Sequence, residues 1–139
     1  MLLTPAVSTL IDLALEEDLG RGDVTSTGVL GPRGGATMVA DVVARQELVV
    51  AGIEVAEAVF ERVDAATVFT ARVGDGGIVA AGTVVATVEG SAAALLAAER
   101  TALNFLQRLC GIATTARTYV EAARGSTLRI TDTRKTTPG

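Results

Sequence analysis

The chain has no histidine and no tryptophan, and it has one cysteine and one lysine among its 139 residues. Without histidine it cannot form a histidine-based catalytic triad, a histidine metal ligand or a histidine general base. Its single cysteine, Cys110, cannot form an internal disulfide and is typical of a protein from a reducing compartment. These absences predict a cytoplasmic protein.

Long apolar runs and basic clusters are absent as well. Mean hydropathy is high at +0.44, yet no run approaches the ~18 uncharged apolar residues that a membrane helix needs. The acidic N-terminal segment lacks the basic region of a signal peptide. The net charge is -4, and the arginines are scattered among few aromatic residues. We therefore expect neither a membrane protein nor a nucleic-acid-binding protein.

The first ninety residues predict two helices and several short strands. A helix over 4–20 has Thr4 as its N-cap, Pro5 in its first turn and Gly20 at its end. A second helix is indicated over 52–63 by apolar residues at helical spacing. Residues 20–35 form a connection rich in glycine, serine and threonine. Strands are predicted over 36–45, 47–52 and 67–73, and one or two more over 78–90, broken at Gly82.

A third helix is predicted to start after Ser91, its N-cap, and to run to Cys110. On a wheel of about 100° per residue, one side is apolar and forms the core. That side carries Leu95, Leu103, Leu106, Leu109 and Cys110. The opposite side carries Ala93, Ala97, Arg100, Asn104 and Gln107. This second side is either an ordinary exposed face or a surface where small residues let a ligand or partner approach three polar side chains.

Gly111 is predicted to break or kink this helix, which then continues to Gly125. Residues 126–132, "STLRITD", predict a strand with Leu128 and Ile130 on one face. A helix, a strand and a polar loop in this order begin an α/β repeat. In such repeats the ligand site lies at the carboxyl ends of the strands, where "DTRKTTPG" would lie.

This final segment contains the only lysine, Lys135, directly after Arg134. An arginine fork matches a carboxylate or phosphate, and a lysine ammonium suits phosphate oxygens. Thr133 and Thr136 add hydroxyl and backbone N–H groups. The spacing favours an anion-binding loop, although an ordinary surface loop with two basic residues fits it equally well.

Three weaker signals point mainly to structure. The acidic run Glu16-Glu17-Asp18 with Asp23 could bind a metal but is more typical of a solvated helix end. Cys110 lies on the leucine side of its helix and is interpreted as a small core residue. Residues 71–90 resemble the strand pattern of biotinyl and lipoyl carrier modules. Such modules need a lysine at a hairpin tip, which this chain lacks.

Four segments resemble the quinolinate phosphoribosyltransferase family, also called nicotinate-nucleotide pyrophosphorylase (carboxylating). They are "LEEDLGRGDVTS", "ELVVAGIEVAEAVF", "LLAAERTALNFLQRLCGIAT" and "ITDTRKTTPG", in the family's order. One departure is Cys110, where the family usually has serine. A second is length, because the family continues for about as many residues again, and this chain is interpreted as the N-terminal half of such an enzyme.

The resemblance implies an α+β fold in two parts. Residues 1–110 would form an N-terminal α/β sandwich domain with strands like those of a barrel-sandwich hybrid, including its closing helix. Residues 111–139 would supply the first helix and strand of an α/β barrel. The family acts as a homodimer or a larger homo-oligomer in which the N-terminal domain of one subunit closes over the barrel of the other.

The resemblance also implies the reaction and the roles of residues. The family converts quinolinate and 5-phosphoribosyl-1-pyrophosphate into nicotinate mononucleotide, pyrophosphate and CO₂ with Mg²⁺, in NAD biosynthesis. Arg134 would bind a substrate carboxylate, and Lys135 would face the substrate anions as a catalytic residue. Thr133 and Thr136 would shape the loop, and Arg100 would reach into the neighbouring subunit's site. The expected metal ligands lie outside this sequence.

Three alternatives to this enzyme remain open at the level of sequence. A paralogue of the same fold could use another substrate, including one linked to molybdenum transport. The chain could be a non-catalytic module like the biotinyl carriers. It could also be an inactive fragment, which the missing barrel predicts for this chain alone.

Overall fold

The computed structural model describes residues 3–20, 35–133 and 135–136. In chain order its elements are α1 (Pro5–Leu19), β1 (Thr37–Val43), β2 (Leu48–Val49), α2 (Ile53–Val63), β3 (Val68–Ala71), β4 (Ile78–Val79), β5 (Val84–Ser91) and α3 (Ala92–Ala122). All strand pairs are antiparallel in the part of the chain that is described. The predicted α+β class is confirmed. The predicted connection over 20–35 lies outside the described residues, apart from its two ends.

The helix α1 begins and ends at the capping residues that the sequence predicts. The Thr4 side chain accepts a hydrogen bond from the Val7 N–H, and Pro5 occupies the first turn. Gly20 ends the helix with a positive φ of 48°, and its N–H donates to the Glu16 carbonyl. The helix buries Val7, Ile11 and Leu15. One face of α1 therefore packs on the rest of the molecule while the other stays in solvent.

Two small sheets form the β part of the fold. The central strand β5 pairs with β1 on one side and β3 on the other, and β2 pairs with β4. The predicted break at Gly82 is confirmed, because Gly82 has a positive φ of 85° between β4 and β5. The side chains of Val85, Ala86 and Val88 on β5 are buried. The three-stranded sheet is therefore tied to the core through its middle strand.

The helix α2 receives its N-terminal cap from a distant turn. Gly52 has no side chain to cap the helix, and the Asp75 carboxylate instead accepts hydrogen bonds from the N–H groups of Gly52 and Ile53. Gly52 adopts a left-handed conformation, and a Cβ there would collide with Leu109 of α3. The turn before β4 therefore fixes the start of α2, and only glycine fits at position 52 beside Leu109.

The helix α3 is longer than predicted. Ser91 caps it as expected, accepting a hydrogen bond from the Ala94 N–H. Of the break or kink predicted at Gly111, the break is wrong, because the helix continues through this glycine to Ala122, and the kink stays a prediction. Gly111 is exposed, and one glycine costs only about 1 kcal/mol in a helix whose first half is already packed. The predicted domain boundary between residues 110 and 111 thus falls inside α3 and stays a prediction.

The predicted strand over 126–132 is also wrong. These residues contain neither helix nor strand, and Leu128 and Ile130 are 72% and 48% exposed. A strand needs a neighbour to pair its backbone groups, and no described strand lies beside this segment. The expected start of an α/β barrel in residues 111–139 stays a prediction.

The core lies where the three helices meet the sheets. Its largest fully buried side chains are Ile11, Val50, Val55, Val59 and Val88. The helices α2 and α3 pack against each other, and α1 contacts both of them. Among the described residues, no helix is long and apolar enough to cross a membrane.

Candidate functional site

Arg100 lies in the third turn of α3 and forms an ion pair with α1. Its Nε lies 2.9 Å from Asp18 Oδ1. The arginine side chain is 70% exposed, whereas the Asp18 side chain is 17% exposed. The arginine therefore meets both a carboxylate and water, which satisfies its charge without burying it. Its guanidinium remains accessible to an anion that approaches from outside.

Asp18 is held from its other side by Thr101. The Thr101 hydroxyl donates a long hydrogen bond of 3.4 Å to Asp18 Oδ2. Thr101 is 3% exposed and is the only polar residue in the buried set of the described chain. The two carboxylate oxygens of Asp18 thus face two adjacent residues of α3, one of them rigidly packed.

Sequence reasoning missed the role of Asp18. The acidic run was expected to be a solvated helix end, and this holds for Glu16 and Glu17, which are exposed. Asp18 instead lies seven residues after buried Ile11 and three after buried Leu15. Positions at this spacing share one helix face, so the pattern did contain the signal that Asp18 faces the core side.

The helix-wheel assignment of α3 is confirmed in its main division. Leu95, Leu106 and Cys110 are buried, and Leu103 and Leu109 are half-buried. On the opposite side Arg100, Asn104 and Gln107 are exposed.

These three polar residues do not share one depression. Asn104 lines a depression of about 380 Å³ together with Asp18 and Arg108. Gln107 instead lines two grooves between α3 and the β1 segment, beside Arg45. Arg100 and Asn104 therefore belong to the α1 side of the helix, and Gln107 to the β1 side.

The predicted anion-binding loop is described only in part. Thr133, Lys135 and Thr136 are exposed, and the Lys135 N–H donates to the Thr133 hydroxyl at 3.3 Å. Arg134 lies outside the described residues. The threonine hydroxyl thus accepts a hydrogen bond from a residue two positions along the chain. The anion-binding role of this loop stays a prediction.

Arg100 lies on α3, whereas the loop follows the end of this helix in the chain. About 33 Å of helix axis separates Arg100 from the end of α3, at ~1.5 Å per residue. Beyond that end, Ile130 and Thr131 still line a depression with Val120 and Arg124. Among the described residues, no hydrogen bond or ion pair joins Arg100 to Thr133, Lys135 or Thr136.

Cys110 is a packed structural residue, as predicted. Its sulfur accepts a hydrogen bond from the Ala51 N–H at 3.3 Å, and the residue is 9% exposed. Burial raises the pKa of the Cys110 thiol, the hydrogen bond from Ala51 lowers it, and the Asp75 carboxylate raises it. A thiol with a raised pKa forms little thiolate near neutral pH and is a poor nucleophile.

The described residues offer no metal centre of their own. They contain no group of three or more aspartate, glutamate or cysteine side chains placed to hold a metal ion. Glu16 and Glu17 point into solvent, and Asp18 is engaged with α3.

Comparisons with known proteins agree with the motifs. The family model described as "Quinolinate phosphoribosyl transferase, N-terminal domain" matches residues 23–110. The chain is 44% identical over 126 residues to a probable nicotinate-nucleotide pyrophosphorylase [carboxylating] of Synechocystis, covering 90% of this chain and 41% of that protein. It is 40% identical to the Bacillus subtilis protein of the same name, covering 88% of this chain and 42% of that protein.

Solved structures show the same fold. The crystal structure of NadC from Streptococcus pyogenes superposes with a TM-score of 0.90 at 35% identity, covering 99% of this chain and 49% of that one. The nicotinate-nucleotide pyrophosphorylase of Francisella tularensis gives a TM-score of 0.88 at 30% identity, covering 96% of this chain and 47% of that one. The chain thus spans between two fifths and half the length of these relatives. With most of its length matched by the family model, the chain belongs to the quinolinate phosphoribosyl transferase family and carries that family's N-terminal domain.

Proposed function

We propose that the natural protein transfers the phosphoribosyl group of 5-phosphoribosyl-1-pyrophosphate to quinolinate and releases pyrophosphate and CO₂, forming nicotinate mononucleotide. The observation that carries this proposal is the match of residues 23–110 to the family's N-terminal domain, together with relatives named for this reaction. The single cysteine agrees with a cytoplasmic location.

The chemistry of the reaction explains why cations matter here. The pyridine nitrogen displaces pyrophosphate at C1 of the ribosyl group, and the 2-carboxylate then leaves as CO₂. The electron pair that remains on the ring carbon is protonated from solvent. Quinolinate is a dianion, so arginine forks suit its carboxylates and positive charge stabilises the ring anion.

We assign the residues of this chain accordingly. Arg134 binds a quinolinate carboxylate, and Lys135 faces the substrate anions as a catalytic group. Thr133 and Thr136 shape the loop, and the hydrogen bond between Thr133 and the Lys135 N–H supports that role. The negative charge of the pyrophosphate group would be partly neutralised by Mg²⁺, whose ligands we expect to lie outside this sequence.

Arg100 completes the site of a neighbouring subunit in this proposal. It lies about 33 Å along α3 from the point where the chain leaves the helix toward Lys135. Its guanidinium is exposed and has no bond to the described loop residues. A homodimer in which the α3 face of one subunit meets the Lys135 loop of the other brings both cations to one dianion.

The first test is an assay of the natural polypeptide with quinolinate and phosphoribosyl pyrophosphate. We expect nicotinate mononucleotide as product. This chain of 139 residues alone should show no turnover, because it spans less than half of the relatives' length. Turnover of another pyridine in place of quinolinate would identify a paralogue, and absence of any phosphoribosyl transfer by the natural polypeptide would contradict the proposal.

The subunit arrangement is tested with hybrid dimers. Arg100→Ala and Lys135→Ala subunits are each expected to be inactive alone. After random reassociation, half of the dimers are hybrids with one intact site, so about a quarter of wild-type activity should return. If no activity returns although hybrids form, Arg100 acts within its own subunit.

A further inference from the structure

Asp18 and Arg100 form an ion pair whose two partners are unequally exposed. The aspartate side chain is 17% exposed, and the arginine side chain is 70% exposed. The closest atoms are Asp18 Oδ1 and Arg100 Nε, at 2.9 Å. The carboxylate thus contacts the inner nitrogen of the guanidinium, and the arginine remains open to solvent.

The carboxylate is itself fixed by the fold. Asp18 lies in the last turn of α1, whose preceding turns bury Ile11 and Leu15. Its second oxygen accepts a hydrogen bond from the hydroxyl of Thr101. Thr101 is 3% exposed and lies next to Arg100 on α3. Asp18 is therefore held by a packed turn of α1 and by the packed Thr101, whereas the Arg100 side chain that it contacts has many rotamers when free.

We infer that Asp18 is a positioning residue for the reaction: it holds Arg100 at Nε so that the terminal nitrogens face a substrate carboxylate. This inference rests on the proposed function, in which Arg100 binds the quinolinate dianion. A free arginine loses several rotamers when it binds a ligand, and a side chain that is already oriented loses fewer. A guanidinium held at one edge still offers a fork for a bidentate contact.

A second ion pair on α1 provides a matched control. Asp12 pairs with Arg62 of α2, and their side chains are 58% and 41% exposed. This pair also joins a carboxylate of α1 to an arginine of another helix. Its arginine belongs to no proposed site, and its aspartate is more exposed than Asp18. Asp12→Asn therefore removes a comparable charge without touching the Arg100 region.

The first experiment compares kinetics of the natural polypeptide and its variants. Asp18→Asn should raise the KM for quinolinate about tenfold with a smaller change in kcat, because the substrate must then order the arginine itself. Asp12→Asn should leave both constants unchanged. Thr101→Val should raise this KM less than Asp18→Asn does, and Thr101→Ser, which keeps the hydroxyl, should restore it.

The coupling of the two residues is measured in the Arg100→Ala background. There Asp18→Asn should have no further effect on kcat/KM, because the side chain that it orients is gone. An unchanged KM in Asp18→Asn, or a full additional loss in the double variant, would overturn the inference while turnover by the wild type leaves the proposed function intact. Absence of turnover by the wild type would overturn both.

Hybrid dimers separate positioning from a role elsewhere. If Asp18 acts through Arg100, both residues lie on the surface that one subunit contributes to the site of its neighbour. Assayed at quinolinate concentrations well below KM, where Asp18→Asn alone should show about a tenth of wild-type activity, its mixture with Lys135→Ala subunits should then reach about a quarter of wild-type activity, as the mixture with Arg100→Ala subunits does. Mixing Asp18→Asn with Arg100→Ala should give no gain over the parents. A gain in that second mixture would place Asp18 at its own subunit's site and overturn the inference.

Discussion

Both halves of α3 are α-helical, but they differ in how much of their surface is buried. Before Gly111 the helix buries eight residues, the first being Ala92 and the last Cys110, and the helix as a whole contacts α2, β2 and β5. After Gly111 it buries none, and Ile112, Tyr119 and Val120 are more than half exposed. A helix can thus continue on local propensity after its packing partners end. Its second half carries apolar side chains that the described residues leave more than half exposed.

Among the described residues, one hydrogen bond connects the second half of α3 to β2 of the two-stranded sheet. The Thr114 hydroxyl accepts the Val49 N–H at 2.9 Å and donates to the Cys110 carbonyl at 2.6 Å. Other threonines of this half bond only within the helix. The contrast between a packed and an uncovered half predicts how substitutions along α3 should differ in effect.

The largest effect is expected from truncating the packed half. Leu106→Ala removes a side chain that is 5% exposed and should lower the free energy of unfolding by about 2–5 kcal/mol. Ile112→Ala, at a residue 56% exposed, should cost less than about 1 kcal/mol in this chain. Denaturant unfolding of both variants measures the difference, and equal losses would show that the second half is packed too.

A smaller loss is expected at the cap of α2, which places Gly52 against Leu109 of α3. Asp75→Ala leaves the N–H groups of Gly52 and Ile53 without their carboxylate and should cost about 1–2 kcal/mol. Asp64→Ala is the control, because the Asp64 carboxylate accepts only the N–H of Ala66 in an exposed turn. The account of this cap fails if the two variants unfold at the same denaturant concentration.

A still smaller loss of stability is expected from removing the hydrogen bond between Thr114 and Val49. Thr114→Val keeps the shape of the side chain but leaves the Val49 N–H without its acceptor, which should cost about 1 kcal/mol. Thr118→Val removes a hydroxyl that bonds only the Thr114 carbonyl, and it should change stability by less than about 0.5 kcal/mol. Hydrogen exchange at the Val49 amide should accelerate in the first variant and not in the second.

The smallest expected change is an increase in the free energy of unfolding. Gly111→Ala adds a methyl group that meets no atom within 4 Å at an exposed helical position. It should raise the free energy of unfolding by about 0.5–1 kcal/mol, because glycine costs more backbone entropy in a helix than alanine does. A loss of stability would mean that this position is strained or closely covered.

The predictions from sequence succeeded where the signal was local. The caps at Thr4 and Ser91, the ends of α1 and the turn at Gly82 each depend on residues within one helical turn or hairpin. The core side of α3 followed from its spacing of leucines. These features need no knowledge of distant residues.

The failures lie where distant segments decide. Asp75 caps α2 across 22 residues, and Asp18 meets Thr101 across 83 residues, so neither contact has a local pattern. Gly111 was expected to break or kink its helix, and the break does not occur because the residues on both sides of the glycine are helical. The segment over 126–132 has strand-like residues but no described partner strand, and pairing is what a strand requires.

The most direct test of the account is the quinolinate kinetics of Arg100→Ala beside Arg124→Ala in the natural polypeptide. Both arginines are at least 70% exposed and paired with a carboxylate, Arg100 with Asp18 and Arg124 with Glu121. The account predicts that kcat/KM for quinolinate falls at least about a hundredfold in Arg100→Ala, as expected for a lost charge-assisted contact, and stays near the wild-type value in Arg124→Ala. Wild-type kinetics in Arg100→Ala would contradict it.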